Sequence, residues 1–386
     1  MAIYLDHNAG SPMRPQVRAA LAALADFPWA NPASVHRAGQ AARAVLEEAR
    51  TAVADLIGAK PTAIVFTSGG TEANHLAILG ALDTDPARRA IVTTAIEHSS
   101  ILHPLEHLRE HGAQVRIVAP DRQGRVDPAA LAAQIDRDCA ILSVGLANAE
   151  VGTIQDLSGL ADAAHRAGAL FHLDAVAAAG KMALNVAELQ CDLLSLSAHK
   201  LGGPAGSGAL FVRQRERIRP WLWSGAQEHG LRAGTPNLIG AAGFGIAARM
   251  VAQEWAAEAA RLAPMAADFT QHLMSAIPGL RANHPATGGL VNTLNFTFPS
   301  VRGETLLIAL DLAGVEVSIG SACAAGAVEP SHVLLAMGRS EAAARSSLRI
   351  SLGYTTTARE LTEAAAIIPR VWRQVAAGES AEALAS

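Results

Sequence analysis

Three places in this 386-residue chain set chemically capable residues directly after a short apolar run. In 192-DLLSLSAHKLGG-203, Lys200 follows Ser197 and His199 and precedes two glycines. A lone lysine usually snorkels to the surface, but one held at a partly buried strand end can lose its proton and form a Schiff base. In 169-ALFHLDAVAAAG-180, Asp174 ends an apolar run and faces small residues. A poorly solvated carboxylate needs a cation beside it or its pKa rises. A protonated ring nitrogen would serve, and so would an arginine from elsewhere in the chain. In 64-IVFTSGGTEANH-75, two glycines and Thr71 lead from a strand pattern into a helical one. Free N–H groups at such a turn, from Gly70 onward, suit a phosphate; a tight turn with a Thr N-cap is the plainer alternative.

Two further run ends carry polar side chains. Glu97 and His98 follow 90-AIVTTAI-96, where an imidazole could stack on a ring or move a proton. Asn148 follows 140-AILSVG-145, where an amide could reach a ring oxygen or a carboxylate. Each of these is more often structural when met alone. Together, a lysine for an aldehyde carbon, an acid for a ring nitrogen and a turn for a phosphate are what a pyridoxal 5'-phosphate site requires. A nucleotide site is not indicated, because no GK[ST] ending and no GxGxxG follows any of the runs.

The elements that must position these residues read as alternating strands and helices. Strand patterns at 64–68, 90–94, 114–119, 140–145, 169–174, 192–197 and 208–212 are separated by helical stretches at 71–82, 99–111 and near 156–167. Such alternation predicts a mainly parallel sheet covered on both faces, with ligands beyond the carboxyl ends of its strands. After residue 235 the pattern changes to long helices at about 237–277. Strand 290–298, a helix at 303–313, GVEVS, RSSLRIS and a helix at 356–377 then follow, as expected of a smaller α+β domain. Half of the chain is hydrophobic, the net charge is −4 and the pI is near 6.4. No cluster of Lys and Arg suits a nucleic acid, and no run of about 18 apolar residues suits a membrane. Cys139, Cys191 and Cys323 are scattered and form no CxxC pair, as in a reduced, cytoplasmic protein. The N-terminal residues show no basic, apolar leader pattern.

The motifs TSGGTE (67–72), EHSS (97–100), ANAEVGTIQD (147–156), HLDA (172–175), SLSAHKLGGPAGSGAL (195–210), RAGTPN (232–237) and GSACAAG (320–326) together resemble the cysteine desulfurases. These form the NifS/IscS-like group of the class V aminotransferase family, within the fold-type I pyridoxal-phosphate enzymes. The resemblance runs in order from YLDHNAG (4–10) to SLRISLG (347–353). It implies a large cofactor-binding domain, with a mainly parallel seven-stranded sheet, at 13–252. A small domain from 1–12 and 253–386 would carry the loop of a catalytic cysteine. It implies conversion of L-cysteine to L-alanine, with the sulfur passed to Cys323 as a persulfide and then to an acceptor or scaffold protein, for iron–sulfur or other thio-cofactor assembly. Lys200 matches the Schiff-base lysine, Asp174 the pyridinium partner, and His98 the ring-stacking residue that assists proton transfer. Gly70, Thr71, Ser197 and His199 match the phosphate site, and Asn148 the ring-oxygen contact. Thr235 matches the residue that reaches the phosphate across a homodimer interface. Arg349 matches the arginine for the substrate carboxylate, to which a guanidinium fork is suited. Asn31 and His36 lie in a segment near the substrate.

The residues around Cys323 agree with that role, since Gly, Ser and Ala leave the thiol on a slender loop. Cys139 and Cys191 fit small buried cysteines. The chain departs from the family at Ala177, where a glutamine normally donates to the cofactor's phenolic oxygen. It also departs at ACAAG, where ACTSG is more typical, and at WSGAQEHG before RAGT. His103, His107 and His111 recur every four residues beside Glu106 and Glu110. Without an HExxH they fit a solvated helix face, and no metal site is expected. A selenocysteine lyase, another class V aminotransferase-type enzyme, and a sulfur-carrier or scaffold subunit without turnover are the rival readings. Cys323 argues against the aminotransferase, and Ala177 is the best support for the inactive subunit.

Overall fold

A computed structural model describes residues 2–24, 27, 30–320 and 329–385. Among them the strands run in chain order as β1 (Ile3–Tyr4), β2 (Ile64–Thr67), β3 (Ala90–Thr94), β4 (Gln114–Val118), β5 (Cys139–Gly145), β6 (Leu170–Asp174) and β7 (Leu193–Ser197). β8 (Gly208–Val212), β9 (Arg281–Ala282), β10 (Thr293–Thr297), β11 (Val315–Glu316) and β12 (Ser347–Ser351) follow. Seven of them form one sheet in the order β2-β8-β7-β6-β5-β3-β4. Strands β7, β6, β5, β3 and β4 are mutually parallel, while β8 runs antiparallel to both β7 and β2. The carboxyl ends of β2, β3, β5, β6 and β7 therefore share one edge of the sheet.

Both faces of this sheet are buried because successive side chains point to opposite sides. Phe66, Val92, Leu142, Phe171, Leu194 and Phe211 face one core, which includes the inner sides of helices Arg37–Leu56 and Leu238–Ala276. Their alternates Val65, Ile91, Ile141, Leu170, Leu193 and Leu210 face a second core against helices Gly70–Leu82 and Ser99–Glu110. The two helices of the first face approach closely. A Cβ on Gly245 would lie 2.6 Å from Ala49 Cα, so a side chain there would push them apart.

A third core joins Leu5, Phe296, Leu306, Leu310, Leu348, Ile350 and Ile368. It covers the antiparallel sheet β12-β10-β9 and the parallel pair β1-β11. The helix Leu238–Ala276 serves both regions: Leu238 to Val251 pack on the first core and Leu262 to Leu273 on the third. Two helices lie before the first expected strand, Pro15–Ala23 and Arg37–Leu56. The helix expected near 156 begins at Leu160, after Gly159 in the left-handed region.

Candidate active site

The shared strand edge opens onto a cavity of about 250 Å³. Gly70, Thr71, His98, Asn148, Asp174, Ser197, His199, Lys200 and Arg349 all line it. Residues from five strand ends and from β12 thus meet in one place. Asn31 and Thr235 lie outside its lining and are exposed. Asn31 accepts from Ala33 N (2.9 Å), and His36 caps the helix Arg37–Leu56 by accepting from Gly39 N (3.3 Å). Cys323 lies outside the described residues.

At one end of the cavity β2 turns through Gly69 into the helix Gly70–Leu82, whose first N–H groups have no intrahelical acceptor. The turn lies so close to the β6 loop that a Cβ on Gly70 would come within 2.7 Å of Val176 Cγ2. Beside it, Ser197 Oγ pairs with His199 Nδ1 at 2.9 Å. Burial and the nearby Lys200 push the His199 imidazole down to about 4, so it is neutral at pH 7. Helix amides, a hydroxyl and a neutral imidazole make a donor set suited to a phosphate.

Asp174 is buried at the end of β6. Its Oδ1 accepts from Val176 N (2.9 Å) and its Oδ2 from Asn74 Nδ2 (2.8 Å). Among the described residues it forms no ion pair with Lys, Arg or His, so the carboxylate lacks the cation that its burial calls for. A protonated ring nitrogen fits that need.

Asn74 was not singled out by the sequence, yet it joins two of the expected residues. Its Nδ2 also donates to Ser100 Oγ (2.9 Å). Ser100 in turn gives its N–H to His98 Nδ1 (3.1 Å), and its hydroxyl lies 2.8 Å from the same nitrogen. With Nδ1 accepting, the neutral His98 ring carries its proton on Nε2. Burial, as the main cause, holds His98 below the usual imidazole range. Asn74 Oδ1 is buried without a partner among the described residues.

Asn148 is more occupied than expected. Its Oδ1 accepts from Glu150 N and Val151 N, and its Nδ2 donates to Ile96 O. It shapes the loop after β5 and keeps one amide hydrogen for a ligand. Lys200 Nζ donates to the carbonyls of Asn8 and Ala9. Arg349 Nη2 bonds Asp6 Oδ1 at 2.7 Å, while its buried Nε has no partner among the described residues. That orphaned donor suits a carboxylate oxygen.

The cavity is also lined by Glu150 and Lys181, which the sequence passed over, and by Glu97, which it named beside His98 without a role. Burial pushes the Glu97 carboxyl up to about 7, against a 2.6 Å hydrogen bond from Thr94 that lowers it. Glu150 Oε2 accepts from Ser331 Oγ (2.5 Å) and lies 3.0 Å from the Cβ position of Gly320. The residues on either side of 321–328 therefore rest on the cavity wall. Away from the cavity, His107, Glu110 and His111 bring their ligand atoms within 4.8 Å of one another on an exposed helix end.

The chain matches the aminotransferase class-V family model over residues 3–363, and it belongs to that family. It is 39% identical over 370 residues to a cysteine desulfurase IscS of Dictyoglomus turgidum, covering 96% of this chain and 94% of the relative. It is 41% identical over 377 residues to a cysteine desulfurase of Cereibacter sphaeroides, covering 97% of each. A solved NifS-like protein superposes with a TM-score of 0.90 at 32% identity, over 96% of this chain and 99% of that one. A solved structure of SspA in complex with cysteine superposes with a TM-score of 0.80 at 30% identity, over 90% and 98%. These proteins share the fold-type I architecture described above.

Proposed function

We propose that this chain is a pyridoxal-phosphate-dependent cysteine desulfurase, converting L-cysteine to L-alanine and passing the sulfur to Cys323. The observation that carries the reading is the convergence of Lys200, Asp174, His98 and the Gly70–Thr71 turn on one cavity, in a chain about 40% identical to cysteine desulfurases. Gly70, Thr71, Ser197 and His199 would hold the cofactor's phosphate, Asp174 its ring nitrogen, His98 its face and Lys200 its aldehyde carbon; Asn148 would reach its ring oxygen. The cofactor, when bound, supplies a carbonyl for the substrate amine and a ring that accepts electrons from the substrate Cα.

The protein's own groups do the rest. Arg349, through its orphaned Nε, binds the substrate carboxylate and orients Cα. Asn74 and Val176 N keep Asp174 aimed, and Asn74 with Ser100 keeps the His98 proton on Nε2. Lys200 Nζ takes the substrate Cα proton.

The sulfur acceptor follows from the three cysteines. Burial pushes the Cys139 thiol up to about 11 and the Cys191 thiol up to about 12, so neither is a thiolate at neutral pH. Cys323 is three residues from Gly320, and a chain of that length reaches at most about 11 Å. Its thiolate attacks the substrate Sγ and the Cβ–Sγ bond breaks with its electron pair left on the substrate carbons, which take up protons to become alanine, while Cys323 keeps the sulfur as a persulfide. Asn31 is proposed to lie near the substrate in the assembled protein.

Replacing Cys323 with Ala is expected to abolish sulfide release from cysteine while leaving the bound cofactor's visible absorbance intact. Sulfide release that survives the change refutes this role. The division into domains 13–252 and 1–12 with 253–386 is proposed on the change of packing partners along the helix Leu238–Ala276. A homodimer in which Thr235 reaches the partner's cofactor is supported by the exposed Trp221, Leu222, Trp223 and Ile239 around the RAGT loop. No helix among the described residues is long and apolar enough to cross a membrane. A cytoplasmic location and delivery of sulfur to an acceptor for iron–sulfur or thio-cofactor assembly complete the reading.

A further inference from the structure

Lys181 is a charge in the cavity that the reaction just described leaves unused. It lies seven residues after Asp174, in the turn that leaves β6, and it lines the cavity with Lys200 and Arg349. Its amine donates to Asn8 Oδ1 at 2.7 Å. That neutral oxygen is its hydrogen-bond partner among the described residues, and no carboxylate there pairs with it.

The neighbouring cations are committed differently. Arg349 is paired with Asp6, and Lys200 donates to the carbonyls of Asn8 and Ala9. Asn8 links the groups, because its Nδ2 donates to Ala149 O (2.9 Å), which also receives Arg349 Nη1 (3.4 Å). Lys181, Asn8, Ala149 and Arg349 therefore form one hydrogen-bonded line along the cavity wall. A carboxylate arriving at Arg349 meets a guanidinium whose charge Asp6 already balances. Lys181, next along the line, carries charge that no acid among the described residues balances.

We propose that Lys181 is a second binding residue for the substrate carboxylate, supplying the uncompensated positive charge beside Arg349. This rests on the cysteine desulfurase reading, in which the substrate is an α-amino acid.

The charged and titratable groups facing Lys181 are Lys200, Arg349 with its Asp6, and His7. Burial, and then the two cations, push the Lys181 amine down to about 7. His7, pushed down to about 4 mainly by its own burial, is neutral at that pH. A carboxylate beside Lys181 raises its pKa. Binding above pH 7 therefore takes up a proton, and affinity weakens as pH rises from 7 toward the pKa of the bound state.

The test uses the cofactor-loaded enzyme and 3-mercaptopropionate, which is cysteine without its α-amine. Calorimetry at pH 8, in two buffers of different ionisation enthalpy, reads affinity and proton uptake together. The wild type is expected to bind with uptake approaching about one proton. Lys181→Met should weaken binding by about 30-fold and remove the uptake. Lys181→Arg should keep the affinity without the uptake, because a guanidinium stays charged. Asn8→Asp, which gives Lys181 an acid of its own, should weaken binding as well. Wild-type binding without proton uptake overturns the proposal, and so does a Lys181→Met protein that binds like the wild type. If Lys181→Met does not fold, the wild-type uptake and the Asn8→Asp affinity decide. Alanine production from cysteine by the wild type reports separately on the underlying reading. A wild type that makes alanine but shows neither effect overturns only the role of Lys181.

Discussion

Asn74 shows how much of this site depends on a residue that performs no chemistry of its own. One side-chain amide fixes the acid expected under the cofactor ring and the serine that sets the His98 tautomer. Replacing it with Ala removes a buried hydrogen bond to a carboxylate, a loss of about 2 kcal/mol. Asn74→Ala is expected to bind pyridoxal phosphate at least about tenfold more weakly, read by titration of the apo-protein. Asn74→Asp should be worse, because it sets a second carboxylate against Asp174. Equal affinity in all three proteins would show that Asn74 only fills space. Nothing in the sequence marked this residue. It reads as an ordinary helical Asn, and its partner Asp174 lies 100 residues further along the chain. Lys200 and Asp174 were legible for the opposite reason. A charge that ends an apolar run advertises itself locally, whereas the partner that tunes it does not.

At the scale of elements, the strand ends were readable because each apolar run stops where the polar residue begins. The helix Arg37–Leu56 was not assigned beforehand, and Arg50 offers a physical reason. That arginine points inward from the helix and interrupts its apolar stripe. It bonds Glu228 through two nitrogens at 2.7 and 2.8 Å, and donates to Ile64 O at 2.8 Å. Glu228 also accepts from Phe66 N (2.7 Å), so this buried pair ties the helix and β2 to the segment leading into the RAGT loop. The same loop is held to the phosphate turn by Arg232 Nε and Glu72 Oε1 at 2.8 Å. Glu228→Ala leaves the buried Arg50 only its 3.2 Å contact with the half-exposed Glu47 and is expected to cost about 3 kcal/mol in denaturant unfolding. A change below about 1 kcal/mol would mean that water already reaches the pair.

For the whole molecule, the strand ends of the seven-stranded sheet place Gly70, His98, Asp174 and Lys200 around the cavity, while β12 supplies Arg349, and Gly320 and Ser331, which flank the segment bearing Cys323, rest on Glu150. Asn31 and Thr235 remain outside this chain's own cavity, which is the arrangement expected if a second copy brings them near. Sedimentation should therefore report twice the chain mass of 39.9 kDa. Trp223→Glu, which sets a charge on a side chain that is 72% exposed in the single chain, should shift the protein toward monomer and weaken cofactor binding. A wild-type monomer that holds the cofactor fully would contradict the shared site. The claim on which the account turns is the fate of the substrate sulfur. The most direct measurement mixes the cofactor-loaded protein with one equivalent of L-cysteine and quantifies alanine and protein-bound persulfide together by mass spectrometry. The account predicts equal amounts of both, with the extra sulfur on the peptide containing Cys323. Alanine without a persulfide on that peptide, or a keto acid in place of alanine, would contradict it.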